Sequence, residues 1–301
     1  MNVIAAVETG GTKVFCGIAS ADEPRELLLT RRIPTTTPDE TIGAINAFFA
    51  EAGAEHPITA LGVASFGPVN VDPSRERWGW VTGTPKAGWA DTDLVGRIEI
   101  SRTVPTVMMG DVGGAALGEQ TWGAGAGLSR VAYATIGTGV GVGVALDGAL
   151  LHGNGYPELG HILVRRHPRD DYAGNCPFHG DCIEGLAAGP AVIGRWGTPT
   201  SELSAELLAE AREILGFYIA QLAATTGYLV GVDRFVVGGG VLKTDGLLEE
   251  IRRQLPLVTG GAGVAHAASL DDDGFLTRPA LGDYSGLLGA VAAARTLVAA
   301  V

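Results

Sequence analysis

The chain has 301 residues, 46% of them hydrophobic and 18% charged, which is material for one large domain or two ordinary lobes and too apolar for disorder. A formal charge of −12 argues against a nucleic-acid backbone or an anionic membrane surface as the main partner, and clustered glycine, 46 residues in all, excludes collagen and low-complexity readings. The start, MNVIAAVETGG, reads as lacking a secretory leader, and no run of about 18 apolar residues predicts a membrane span. The three cysteines, Cys16, Cys176 and Cys182, fit a reducing compartment and a thiol or metal role, so a cytoplasmic location is expected.

Residues 2–7 and 14–19 are short apolar runs joined by Glu8-Thr9-Gly10-Gly11-Thr12-Lys13, which predicts a β-hairpin on a glycine turn. A third strand is expected near 27–33. Thr37-Pro38-Asp39-Glu40 then supplies an N-cap, a proline at the first helical position and a Glu three residues after the cap. The helix it opens carries Ile42, Ile45, Phe48 and Phe49 on one face. Residues 59–65 predict a strand ending at Phe66-Gly67-Pro68, and residues 66–91 a long ordered loop. A strand over 104–109 delivers Asp111, and 112–122 reads as helical. The opening pattern then recurs: 131–136 and 140–146 flank Gly137-Thr138-Gly139, and a third corner follows where 234–237 runs into Gly238-Gly239-Gly240. Helices are expected over about 202–230 and 284–299. Alternating strands and helices predict an α/β fold, and the repeated hairpin suggests two related lobes with a cleft between them.

Four features carry chemistry. Turns built from Gly and Thr expose backbone N–H groups that can cradle phosphate oxygens, with Thr9, Thr12, Thr135 and Thr138 adding hydroxyls and Lys13 charge. Neither a Walker A loop nor a dinucleotide fingerprint is present, because Gly137-Thr138-Gly139 leads into a further strand. Asp111, at the carboxyl end of a strand, can accept a proton from an attacking hydroxyl or cap the helix that follows. His161, Cys176, His179 and Cys182 form H-x14-C-x2-H-x2-C, a full set of four N/S ligands for a structural zinc. Glu158 and Glu184 bracket that set, and carboxylates brought together there are good acceptors for sugar hydroxyls.

With these residues assembled, the chain resembles the ROK family of sugar kinases and repressors, and within it the bacterial fructokinases. The resemblance rests on Glu8-Thr9-Gly10-Gly11-Thr12-Lys13, Ser65-Phe66-Gly67-Pro68-Val69, Thr84-Pro85-Lys86-Ala87-Gly88-Trp89 and Gly110-Asp111-Val112 with Ala115-Ala116-Leu117-Gly118-Glu119. It continues through Thr135 to Gly141, Pro157-Glu158-Leu159-Gly160-His161, Cys176 to Gly185 and Gly238-Gly239-Gly240-Val241. The T-P-K-x-G-W stretch and the histidine inside the cysteine knuckle are the fructokinase-like traits.

The resemblance implies an actin-like, RNase H-type two-lobed fold, with an N-terminal lobe over 1–110, a C-terminal lobe over 111–284 and a closing helix over 285–301 that packs back on the first lobe. It implies ATP with Mg²⁺ as cofactors and zinc as a structural ion. Glu8, Gly10, Gly11, Thr12, Lys13, Gly137, Thr138 and Gly139 would face the phosphates, and Gly238, Gly239 and Gly240 would lie near adenosine. Asp111 would be the general base. Ser65, Gly67, Pro68, Lys86, Gly110, Asp111, Glu158, His161 and Glu184 would touch the sugar. The implied activity is phosphorylation of a hexose 6-hydroxyl, D-fructose favoured, with no nucleic-acid or membrane partner and a homodimeric assembly. Gly113, where the family commonly has an Asn that helps hold the sugar, and Gly110 leave another hexose or a weakened sugar-binding protein as alternatives. An actin-like ATPase is a further one. A repressor of the family needs an N-terminal DNA-binding module, whereas here the phosphate motif starts at residue 8.

Overall fold

The computed structural model describes residues 1–84, 86–152, 155–260 and 274–298. Pro85 of the T-P-K-x-G-W stretch and residues 299–301 of the expected closing helix lie outside the described residues. The chain forms two compact units. The first comprises 1–127, 143–156 and 280–301, and the second 128–142 and 157–279.

In the first unit, β1 (Val3–Thr9) and β2 (Lys13–Ser20) form the expected hairpin, with Thr9 opposite Val14, and β3 (Leu27–Pro34) extends it. Thr37 caps α1 (Pro38–Glu55) as the sequence predicts, its hydroxyl accepting the Glu40 N–H at 3.3 Å. The chain continues through β4 (Ile58–Ser65), the short β5 (Trp80–Val81) and β6 (Thr92–Asp93), α2 (Leu94–Arg97), β7 (Thr106–Gly110) and α3 (Asp111–Trp122). The sheet order is β3-β2-β1-β4-β7, antiparallel through β1 and parallel from β1 to β7.

The inner strands β1, β2 and β4 are covered on both faces and are largely apolar, whereas the edge strand β3 is mostly exposed. Val3, Ala5 and Val7 point to Ile42, Ile45, Phe48 and Phe49 of α1. The alternate residues Ile4 and Ala6 meet Leu287, Ala290, Val291 and Ala294 of the closing helix. The compact unit runs past residue 110 because α3 packs tightly on that helix: a Cβ added at Gly289 would stand 1.7 Å from the Gly114 carbonyl oxygen, and one at Gly118 2.3 Å from that of Ser285.

In the second unit, β8 (Arg130–Ile136) leads to β9 (Val140–Leu146), whose residues from Gly143 onward belong to the first unit together with β10 (Ala149–Leu150). Then follow α4 (Ile183–Ala187), α5 (Gly189–Trp196), α6 (Ala205–Val230), β11 (Arg234–Gly238), α7 (Leu247–Thr259) and β12 (Leu276–Thr277), before α8 (Ser285–Val298) returns the chain to the first unit. β11 pairs in parallel with both β8 and β12. No described helix is long and apolar enough to cross a membrane.

Candidate functional site

In the first unit the strand ends of β1, β4 and β7 come into register, with Thr9 beside Ser65 and Ser65 beside Gly110. Asp111 therefore leaves the carboxyl edge of the sheet, where open α/β sheets usually bind ligands. Gly110 occupies the helix-capping position, so Asp111 is the first helical residue, and its Oδ1 accepts the Val112 N–H at 2.8 Å. Thr9 and Ser65, both fully buried, are joined by a 2.7 Å hydroxyl contact, and Ser65 donates to the Phe66 carbonyl at 2.9 Å. Their hydroxyls are thus spent on the strand ends. Gly67 precedes a cis peptide to Pro68 and sits against Tyr156, whose hydroxyl accepts the Val69 N–H at 3.0 Å.

Glu8 lies under the same edge. Its carboxylate accepts the Leu287 N–H at 3.0 Å, so it caps the first turn of α8. Burial, and then the charge of Asp111, push its carboxyl up to about 8. At the hairpin turn Gly11 opens on free space, Lys13 Nζ is 3.0 Å from Asp283, and Lys86 Nζ is 2.5 Å from the Gly11 carbonyl. The structure thus brings Glu8, Gly10, Gly11, Thr12, Lys13, Ser65, Gly67, Pro68, Lys86, Gly110 and Asp111 into one unit.

The second unit gathers the remaining candidates. Gly238 on β11 is in register with Thr135 on β8, so the turns Gly137-Thr138-Gly139 and Gly238-Gly239-Gly240 leave adjacent strand ends. They approach closely: Gly239 has φ +96°, and a Cβ there would meet the Ile136 carbonyl oxygen at 2.4 Å. Glu184 accepts the Val140 N–H at 3.0 Å, which ties this carboxylate to the first of the two turns. Burial raises the Glu158 carboxyl, His161 works against that, and Glu184 adds to it.

His161, Cys176, His179 and Cys182 offer four ligand atoms within 4.8 Å of one another. His161 Nδ1 is 3.7 Å from Cys176 Sγ and 3.6 Å from Cys182 Sγ, and His179 Nδ1 is 3.8 Å from Cys176 Sγ. Bonds of roughly 2.3 Å to sulfur and 2.0 Å to nitrogen in a tetrahedron place neighbouring ligand atoms about 3.3–3.8 Å apart, so the set fits zinc. Burial pushes the Cys182 thiol up to about 11, so an ion would have to displace its proton.

The model of the ROK family matches residues 4–296. The chain belongs to the ROK family. It is 40% identical over 295 residues to a fructokinase of Zymomonas mobilis subsp. mobilis, covering 97% of this chain and 96% of the relative. Among solved structures, a ROK hexokinase from Thermus thermophilus superposes with a TM-score of 0.77 at 25% identity, covering 99% of this chain and all of that one. A ROK family glucokinase from Streptomyces griseus, solved in complex with glucose and AMPPNP, superposes with a TM-score of 0.73 at 25% identity over 98% and 99% of the two chains. The fold is therefore the α/β, actin-like fold of ROK sugar kinases.

A Cβ at Gly110 meets nothing within 4 Å, and one at Gly113 meets Leu150 at 3.4 Å. Sequence reasoning missed three groups. Thr35 binds two carbonyls of the hairpin turn. The fully buried Glu119 accepts from the Ala124, Ala280 and Leu281 amides and the Ser285 hydroxyl. The third group, Asp170 with Arg195 and Tyr218, forms a buried knot in the second unit. None has a local motif, since the partners that define each group lie more than 20 positions away along the chain.

Proposed function

We propose that the protein is an ATP-dependent hexose kinase that transfers the γ-phosphoryl group of ATP to the 6-hydroxyl of D-fructose. The observation that carries this is near full-length identity of 40% to a fructokinase, in a chain that keeps Asp111 at the carboxyl edge of the first sheet. Asp111 Oδ takes the proton of the attacking hydroxyl as the new O–P bond forms, and the bond from γ-phosphorus to the β-phosphate oxygen breaks to release ADP. The amides of the Gly10–Lys13 and Gly137–Gly139 turns hold phosphate oxygens, Lys13 adds charge, and Gly238, Gly239 and Gly240 accept adenosine against bare backbone. Mg²⁺ carried by ATP supplies charge neutralisation at the phosphates.

Glu158, His161 and Glu184 accept or donate hydrogen bonds to the sugar hydroxyls. Zinc on His161, Cys176, His179 and Cys182 fixes the loop that carries Glu158 and leads into Glu184, and with four protein ligands it takes no part in the chemistry. A homodimer in the cytoplasm completes the reading. A second reading, a kinase for another hexose, is favoured by the space at Gly110 and Gly113. A coupled ATP-consumption assay over fructose, mannose, glucose and N-acetylmannosamine tests both. Fructose should give the highest kcat/KM. A higher value for another sugar selects the second reading, and no consumption with any hexose rejects both.

A further inference from the structure

The turn between β1 and β2 is held from behind at three successive carbonyls. The Thr35 hydroxyl donates to the Gly10 carbonyl at 2.7 Å. The Lys86 ammonium donates to the Gly11 carbonyl at 2.5 Å. The Thr35 N–H donates to the Thr12 carbonyl at 3.1 Å. In a trans peptide the C=O of one residue and the N–H of the next point to opposite sides of the chain. Pinning the carbonyls of Gly10, Gly11 and Thr12 therefore turns the amides of Gly11, Thr12 and Lys13 the other way. Among the described residues nothing accepts from the Gly11 or Thr12 amide, and a Cβ on Gly11 would meet nothing within 4 Å.

Lys86 comes from a segment far along the chain, and its placement is built. Trp89 is fully buried, donates its indole N–H to the Thr36 carbonyl at 2.8 Å and packs edge-on against Phe66. The Trp89 N–H closes a turn onto the Lys86 carbonyl at 3.1 Å, and the Lys86 N–H is taken by the Thr84 hydroxyl at 3.3 Å. Thr36 is the neighbour of Thr35, so one buried indole holds both sources of the clamp in place. Only three lysines occur in the chain, and two of them, Lys13 and Lys86, stand at this one turn.

We propose that Thr35 and Lys86 are positioning residues for nucleotide binding: they clamp the turn with its carbonyls inward, so that its amides present a preformed cradle to phosphate. This rests on the reading that the turn faces the phosphates of ATP, and it assigns Lys86 to the turn instead of the sugar. A carbonyl oxygen swung toward a phosphate repels it where an amide attracts it, so loosening one clamp weakens binding of every phosphate the turn touches. Adenosine itself is untouched.

The test uses the full-length protein with Lys86→Met, Thr35→Val and Lys86→Arg. Calorimetric titration with ATP should show Kd rising about tenfold in the first two variants, with adenosine affinity unchanged, and Lys86→Arg should recover most of the loss. In the nucleotide-free protein, NMR exchange of the Gly10 amide, which donates to the Lys13 carbonyl at 2.8 Å, should speed up about tenfold in the same two variants. Weaker ATP binding with unchanged exchange in Lys86→Met would mean that the ammonium acts on the nucleotide directly, and overturns the proposal. So does faster exchange with unchanged ATP affinity. Because both readouts are made without sugar or turnover, failure of the kinase reading would show separately, as absence of hexose phosphorylation by the wild-type protein.

Discussion

Replacing Asp170 by Asn should destabilise the second unit far more than the loss of a surface ion pair would. The Asp170 carboxylate lies nine residues after His161 and six before Cys176. It takes Arg195 Nε at 2.9 Å and Nη2 at 3.0 Å, the Tyr218 hydroxyl at 2.6 Å and the Tyr172 N–H at 3.2 Å. The side chains of Arg195 and Asp170 are only 7% and 1% exposed, so solvent cannot replace the pair once it is broken. Asp170→Asn leaves a buried guanidinium without its counter-charge, a situation that costs about 3–5 kcal/mol. Removing both charges in Asp170→Asn/Arg195→Met should recover most of that. Burial works to raise the Asp170 carboxyl, but hydrogen bonds from Arg195 and Tyr218 and the Arg195 charge outweigh it and hold the group below its ordinary value. A carboxyl lowered on folding stabilises above its unfolded value of 3.8 and loses that contribution as pH falls through the folded one. The gap between wild type and variant in guanidinium denaturation should therefore be largest near neutral pH and narrow in strong acid. A loss below about 1 kcal/mol at neutral pH, or a gap that widens in acid, would mean that the buried pair does not hold this unit together.

Three further expectations are independent of that one. Freshly purified protein should carry one zinc per chain, and Cys176→Ser should lose it together with several degrees of Tm; metal analysis that finds no zinc in the wild type counts against the site. Because burial and then Asp111 raise Glu8 from 4.5 to about 8, the folded state holds a proton that the unfolded chain releases, so stability should fall as pH rises through that window. Glu8→Gln, which keeps an acceptor for the Leu287 amide, should flatten this slope, and an unchanged slope contradicts the assignment. Gly289→Ala forces a methyl to 1.7 Å from the Gly114 carbonyl oxygen and should cost at least about 3 kcal/mol, read as lost soluble yield and Tm. A Tm near wild type would mean that α3 and α8 part easily.

What was legible in the sequence was whatever is encoded locally. The hairpin at Gly10, the Thr37 cap and the strand that ends at Asp111 each announce themselves within a dozen residues, and the structure realises them nearly to the residue. The four metal candidates were legible because coordination chemistry restricts both residue type and spacing. α7 was not foreseen: Pro256 interrupts its pattern, yet the helix persists with Leu247, Leu248, Ile251 and Leu255 buried. α4 and α5 were hidden by a run rich in Gly and Ala that carries little periodic contrast. The corner expected where 234–237 runs into Gly238-Gly239-Gly240 is realised: β11 ends at Gly238, and Gly239 has a positive φ and lies too close to Ile136 for any Cβ. Groups that act through distant partners, such as Glu119 with Ala280, Leu281 and Ser285, leave no local trace, because their meaning lies in contacts across more than 160 positions.

Asp111 is proposed to take the proton of a sugar hydroxyl as it attacks ATP. Steady-state turnover of fructose and ATP by Asp111→Asn, with formation of fructose 6-phosphate followed directly, tests it most sharply. Turnover should fall at least ~100-fold in a protein that keeps its fold and its affinity for ATP. A variant that forms the product at close to the wild-type rate would contradict the account.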